Sequence, residues 1–550
     1  MAPDAVNAPP AQVARPTEET LRLLRRLRRR RMRQQGRQIA YWIYVGVLAS
    51  GVYGGWAVGG VAPRIGRVEY TETSARVLAA APPALVALGL LLVLIVARDA
   101  LWRGPVMLAL PDIDWLLPAP IGRGRLLRPR LRRSVTLMTV GGALVGVAVA
   151  AAMALAGLGG GTEGVSATDF AGLAGVAAVV TGLLTVCASA LAVLVEEHPA
   201  VQGWLRRATP VVAACVVALG IQATFAWAGH PLPTLAAVEL WSGPWGWFAR
   251  PVLSQAGAPM PAWPAALGLL GAAAAVFLAA AHRHAARIPA AALRARARTR
   301  SGVAAAVQSY DPRQARMLVR EASADGLGRR SRWLRPPRAA VLAVPWRDCL
   351  ALRRQPPRLA WAVGYIVASL WLGTVAAGQV DDGRLLLATA ATAAAAYLAA
   401  AQLTEPARLE ADDPRRAVHL PYAFGWLALT HAAVPVVVLF SAGIVVAAAL
   451  SVSTVTVVPF AVLAAMVPPA VAATLVSAYR GPLPQHLFVG VETPVGSSVP
   501  FQIASWYAAA PLALLALMAP ALAVVFVTPT AGKLLGVVLW GLAAATLLAF

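Results

Sequence analysis

Lysine is all but missing from this chain. A single Lys533 stands against 47 arginines, only three cysteines occur in 550 residues, and the 24 acidic residues are outnumbered two to one by basic ones. Each scarcity excludes something. The nucleotide-binding P-loop requires Gly-x-x-x-x-Gly-Lys-Ser/Thr, because its lysine neutralises the terminal phosphates and its hydroxyl holds magnesium. Lys533 follows Gly532, but Leu534 takes the hydroxyl position and Val527 stands where the first glycine belongs, so this chain carries no P-loop. Cys187, Cys215 and Cys349 lie far apart, which argues against a disulfide framework and against a cysteine metal site. The preference for Arg over Lys reflects a GC-rich bacterial genome rather than guanidinium chemistry.

Charge is also absent from twelve long apolar stretches: 39–60, 77–97, 135–157, 170–195, 210–229, 262–281, 359–378, 385–403, 426–450, 457–477, 503–526 and 534–550 contain no Lys, Arg, Asp or Glu. Runs of about 20 apolar residues match the thickness of a bilayer at a helical rise of about 1.5 Å per residue. Strict alternation puts both termini on one side, together with 42 of the 48 basic residues. Arg-rich loops stay in the cytoplasm, so the expectation is a multi-pass protein of the bacterial cytoplasmic membrane with both termini cytoplasmic. Only Arg64, Arg67, Arg76, Arg250, Arg384 and Lys533 fall outside. A hydrophobic content of 59% agrees, and the net charge of +24 is explained by loops that meet anionic lipid headgroups, not by nucleic acid.

Residues 1–20 are Ala/Pro-rich and lack the apolar core of a signal peptide, so they read as a disordered cytoplasmic tail. Residues 21–38 follow as a basic amphipathic segment, with Leu21, Leu24 and Leu27 at helical spacing among arginines. The rest divides into a first six-helix half, 39–281, a basic cytoplasmic linker, 282–358, and a second six-helix half, 359–550. Each half has a long turn after its second helix that runs from Pro through an acidic cluster to Leu-Pro. Aligning Pro105 with Pro406 and Pro118 with Pro421 gives offsets of 301 and 303 residues. Six spans per copy leave the second copy parallel to the first. The expected fold is all-α and polytopic, about 12 transmembrane helices in two parallel halves.

These turns carry a resemblance. Asp112-Ile113-Asp114-Trp115-Leu116-Leu117-Pro118-Ala119-Pro120, followed by Arg123, Arg125, Leu126 and Leu127, resembles the loop after the second helix of bacterial ABC-type exporter permeases. Glu405-Pro406 through Glu410, Asp412, Asp413, Arg415 and Arg416 to Leu420-Pro421 resembles the corresponding turn in the second half of fused twelve-span members, and Pro345 to Arg358 resembles the lead into such a half. The resemblance implies that each turn forms a short coupling helix seated in a groove of a separate P-loop ATPase subunit, with ATP and magnesium on that partner and no cofactor, metal or catalytic set in this chain. Such a plug needs rigid ends, an apolar anchor and charges that fix register. Pro118 and Pro120 fix their own φ and push their predecessors out of the α region. Trp115, Leu116 and Leu117 offer the anchor, and Asp112 and Asp114 either cap the helix or meet basic residues of the partner. No Trp precedes Leu420-Pro421, so the second loop is a degenerate copy.

Between spans five and six, Trp241, Trp245 and Trp247 lie in a Pro- and Gly-rich outer loop, where the resemblance implies an extracellular gate and the bare sequence implies interfacial anchoring. Two rival functions are weighed against transport driven by a separate ATPase. A secondary carrier of major-facilitator plan would place ionisable groups in its spans, where His431 is the only imidazole. A lipid-modifying enzyme would need paired acids or a metal set; Glu196-Glu197-His198, His282 and His284, and Asp381-Asp382 are the candidates. Glu-Glu-His lacks a His-x-x-x-His partner, His282 and His284 in an Arg-rich stretch read most simply as a topology anchor, and a structural role is the simpler reading of each. The uncharged spans fit a lipidic or amphipathic cargo. The expected partners are the ATPase and membrane lipids, with the pathway completed either in one pseudo-dimeric chain or in a homodimer.

Overall fold

A computed structural model describes residues 72–549 except 120–121, 161–164, 310, 324–336, 378–381, 413–422, 455, 482, 490–491 and 494–495. The tail 1–20, the basic segment 21–38, the first expected span 39–60, the linker stretch 324–336, Pro120, Asp381, Asp413, Arg415, Arg416 and Pro421 lie outside the described residues.

The N-terminal part contains α1 (Glu72–Asp99), α2 (Leu110–Leu116), α3 (Arg123–Leu155), α4 (Ala167–Glu197), α5 (Pro199–Trp227), α6 (Pro233–Trp241), α7 (Pro244–Trp247), α8 (Ala249–Gln255) and α9 (Trp263–His284). The linker supplies α10 (Ala290–Gln308), α11 (Pro312–Ser323) and α12 (Ala343–Arg353). The C-terminal part contains α13 (Pro356–Ala376), α14 (Asp382–Leu403), α15 (Glu405–Asp412), α16 (Phe424–Thr454), α17 (Val458–Tyr479), α18 (Val499–Val527) and α19 (Ala531–Ala549). Among the described residues the only β structure is a two-residue antiparallel ladder, Glu492–Thr493 against Gly496–Ser497.

This is an all-α polytopic membrane chain. Among the described residues nine helices, α1, α3, α4, α5, α9, α16, α17, α18 and α19, are long and apolar enough to cross a bilayer, and each overlaps an expected span. At the positions expected for spans seven and eight, α13 has 21 residues and α14 has 22, of which Ala388–Leu403 form a shorter apolar stretch. Prolines occur inside α3, α5, α16, α17 and α18, a habit tolerated where neighbouring helices re-satisfy the freed carbonyls. Exposed apolar faces point the same way. Leu137, Val140, Leu144 and Val147 form one exposed stripe on α3, which in water would be an aggregation surface and in lipid is solvated.

The chain divides into two compact units. The first holds Val96–Pro199 and Trp247–Ser301 together with 72–78; the second holds Ala79–Ile95, Ala200–Gly246 and Gly302–Phe550. In the first, α4 is central, with α3, α8 and α9 packed on it. Its start is set by a capping box, in which Ser166 Oγ accepts the Asp169 N–H at 3.1 Å and the Asp169 carboxylate accepts the Ser166 N–H at 3.1 Å. The α3–α4 contact is close because of small residues. A Cβ on Gly146 would fall 2.3 Å from the Ala177 carbonyl oxygen, so only glycine permits this approach. In the second unit α17 is central, flanked by α14, α16, α18 and α19, with Val462, Ala465, Met466, Ala470 and Ala473 fully enclosed.

Candidate functional site

The segment before α2 leads into it with Ala109 extended and Pro111 in the first turn, where its missing N–H costs nothing. Leu110, Ile113 and Leu117 follow at helical spacing and face inward. Ile113 is fully buried against Val106, Leu108, Leu127, Leu131, Ala190, Val193 and residues around Ile288, and Leu110 and Leu117 pack on the same cluster. Asp112 pairs with Arg130 of α3 at 2.6 Å. The outer side is different: Asp114, Pro118, Arg123 and Arg125 are exposed, and Trp115 is 80% exposed.

Two local expectations are corrected. The N-cap of α2 is Ala109, with no side-chain hydrogen bond, so neither aspartate caps it; Asp112 lies in the first turn. Leu117 stays in the α region at φ −71° and ψ −34° although Pro118 follows. The helix ends because proline has no N–H to continue the ladder, without any need for its predecessor to leave α geometry.

The loop that precedes α2 is tied down by Glu196, near the end of α4. Its carboxylate is 1% exposed, accepts the Val106 N–H at 3.3 Å and pairs with Arg296 of α10 at 3.2 Å. Arg296 in turn loses some of its basicity through burial, partly offset by Glu196. Gly104, at φ 69°, turns the chain over this carboxylate, and a Cβ there would lie 2.6 Å from Glu196 Oε1. Glu197 takes another direction. Its Oε2 meets His284 Nδ1 at 2.6 Å and lies 3.5 Å from His198 Nε2, so three groups able to hold a metal converge at the ends of α4 and α9. His282, the other imidazole of that short motif, is turned away. Its Nδ1 lies on the Leu278 carbonyl and its Nε2 on Arg132 Nε at 3.2 Å.

In the second unit, α15 occupies the place of the second turn. Glu405 pairs with Arg358 at 3.0 Å, and Glu410, 3% exposed, pairs with Arg347 and with His431 Nε2 at 3.3 Å. The other nitrogen of His431 meets Asp348 of α12 at 2.6 Å. His431 is therefore buried between two carboxylates. Burial raises the Asp348 carboxyl above its ordinary range, against the pull of His431 and Arg347. A cleft of about 290 Å3 opens beside this network, lined by Arg347, Asp348, Ala351, Pro406, Leu409 and Glu410. Asp412 is the last residue of α15.

Of the three tryptophans, Trp241 ends α6 and is 41% exposed, while Trp245 on α7 donates its indole N–H to Ser242 Oγ at 2.9 Å. Trp247, at the end of α7, is half-buried. Sequence reasoning missed the partners of Glu197 and His431 because they lie 87 and 83 residues away along the chain. Comparison with family models, with curated proteins and with solved structures finds no match.

Proposed function

We propose that the chain is the transmembrane permease of an ATP-driven transporter, an exporter of lipidic or amphipathic substrates, energised by a separate P-loop ATPase that grips its cytoplasmic turns. The observation that carries this reading is α2. A seven-residue helix is clamped on its inner face by Ile113 and by the Asp112–Arg130 pair, yet it holds Trp115 out to solvent beside Asp114. A rigid mount under an exposed aromatic anchor is what transmission of movement from a partner demands, since aromatic residues dominate interface energetics. The repeat supports it. In each half an acid on the short helix meets a base on the next long helix, Asp112 with Arg130 and Glu410 with His431; Arg130 and His431 stand 301 residues apart, as do Pro105 and Pro406, and the two acids 298 apart. The uncharged spans favour an apolar cargo, because nothing in them offsets an ion's desolvation.

The test is purification of the tagged protein from its native membrane in mild detergent. A stoichiometric P-loop ATPase is expected to accompany it and to be lost from Trp115→Ala at unchanged permease abundance. The enclosed Asp348–His431–Glu410 network favours a second reading, a proton-coupled carrier. An ATPase-free protein that moves substrate down a proton gradient in vesicles, and stops doing so in His431→Gln, would replace the first reading with this one.

A further inference from the structure

We propose that Glu197, His198 and His284 form a binding site for a divalent transition-metal ion, zinc being the first choice. Glu197 ends α4, His198 is its C-cap and His284 ends α9, so the site joins two apolar helices at adjacent ends. One donor atom from each residue lies within 4.8 Å of the other two. Tetrahedral zinc, with bonds of about 2.0–2.2 Å, holds its ligand atoms about 3.3–3.6 Å apart. The 3.5 Å from Glu197 Oε2 to His198 Nε2 already fits. The 2.6 Å hydrogen bond to His284 Nδ1 has only to open by less than about 1 Å for an ion to take the place of the shared proton.

Direction and exposure fit as well. The two imidazoles meet at 67° with centroids 6.1 Å apart, so their nitrogens approach from different sides rather than stacking in parallel. Side-chain exposure rises from 7% at Glu197 through 28% at His284 to 49% at His198, which leaves the outer quarter of the coordination sphere open to water or another ligand. Two imidazoles and one carboxylate suit zinc and neighbouring first-row ions, and exclude calcium and magnesium, which require mostly oxygen. The neighbouring carboxylate, Glu196, is engaged by Arg296 and Val106 and is not part of the set. Bound there, the ion would staple α4 to α9.

The inference stands apart from the transport proposal, because its readout is metal content. Full-length protein purified in detergent through a tag without histidine would be stripped with chelator, equilibrated with Zn2+, desalted and assayed by elemental mass spectrometry. About one zinc per chain is expected, with a rise in melting temperature over the stripped protein, and Co2+ in its place should give the strong visible bands of four-coordinate cobalt. Both should be lost in His284→Gln and in His198→Ala, and kept in His282→Ala. The exposed position of His198 keeps the test valid if the His284 variant fails to fold. Substoichiometric zinc in the wild type, or equal zinc in the wild type and His198→Ala, would overturn the site and leave a hydrogen-bonded Glu–His pair.

Discussion

Ile113 and Trp115 stand two residues apart on α2 and face opposite ways. Removing the buried Ile113 side chain leaves a cavity in the cluster under α2, so Ile113→Ala should lower stability by about 2–5 kcal/mol. Trp115→Ala touches an exposed ring and should change it by less than about 0.5 kcal/mol. Thermal unfolding in detergent separates the two. His431 is the other sensitive position. His431→Ala would leave the buried Asp348 and Glu410 carboxyls without their shared hydrogen-bond partner, at a cost of about 1–3 kcal/mol. The same network gives a pH dependence of definite sign. Folded Asp348 holds its proton more tightly than the unfolded chain, because burial raises its carboxyl above the usual value. Its contribution to stability is complete below the ordinary aspartate pKa, about 3.9, and is lost as pH rises through the folded value. Melting temperature measured upward from about pH 4 should fall less steeply in Asp348→Asn than in the wild type.

Helices were the easiest level to foresee. Apolar runs of membrane length marked nine described helices in advance, and a short helix at α2 was expected from the resemblance of the Asp112–Pro120 stretch to a coupling loop. Packing between helices was not foreseen in the same way. Many glycines lie in the apolar runs, but only the structure singles out Gly146, whose missing side chain lets α3 approach the Ala177 carbonyl. Gly146→Leu should therefore force α3 and α4 apart and cost about 1–3 kcal/mol, with lower yield of folded protein from membranes. Gly141, with open space around its missing Cβ, is the control: Gly141→Ala should leave yield unchanged.

Over the molecule as a whole, positive charge and apolar length argue for one orientation. With the exposed Cys215 and Cys349 replaced, a cysteine at Gly160 should react with an impermeant maleimide on intact cells, and one at Ser301 only after permeabilisation. The reverse pattern would invert the topology and place α2 where no ATPase can reach it. The two compact units add a feature that linear halves did not suggest: the second unit includes Ala79–Ile95 and Ala200–Gly246 from the N-terminal part of the chain.

Hydropathy, run length and the clustering of arginine are properties of neighbours in sequence, so the helical, membrane-embedded character of this chain was legible without coordinates, while its short loop helices were expected only from a resemblance. The exposed Trp115 was legible as an anchor but not as the outward face of a clamped helix, because that depends on Ile113 joining a cluster drawn from four other helices and a connecting turn. Which acid meets which base was set in space. Glu196 reaches Arg296 across 100 residues, Glu197 reaches His284 across 87, and His431 reaches Asp348 across 83. Buried ionisable groups need a hydrogen-bonding or oppositely charged partner, and the chain meets that requirement by bringing distant helix ends together rather than by any spacing along its length.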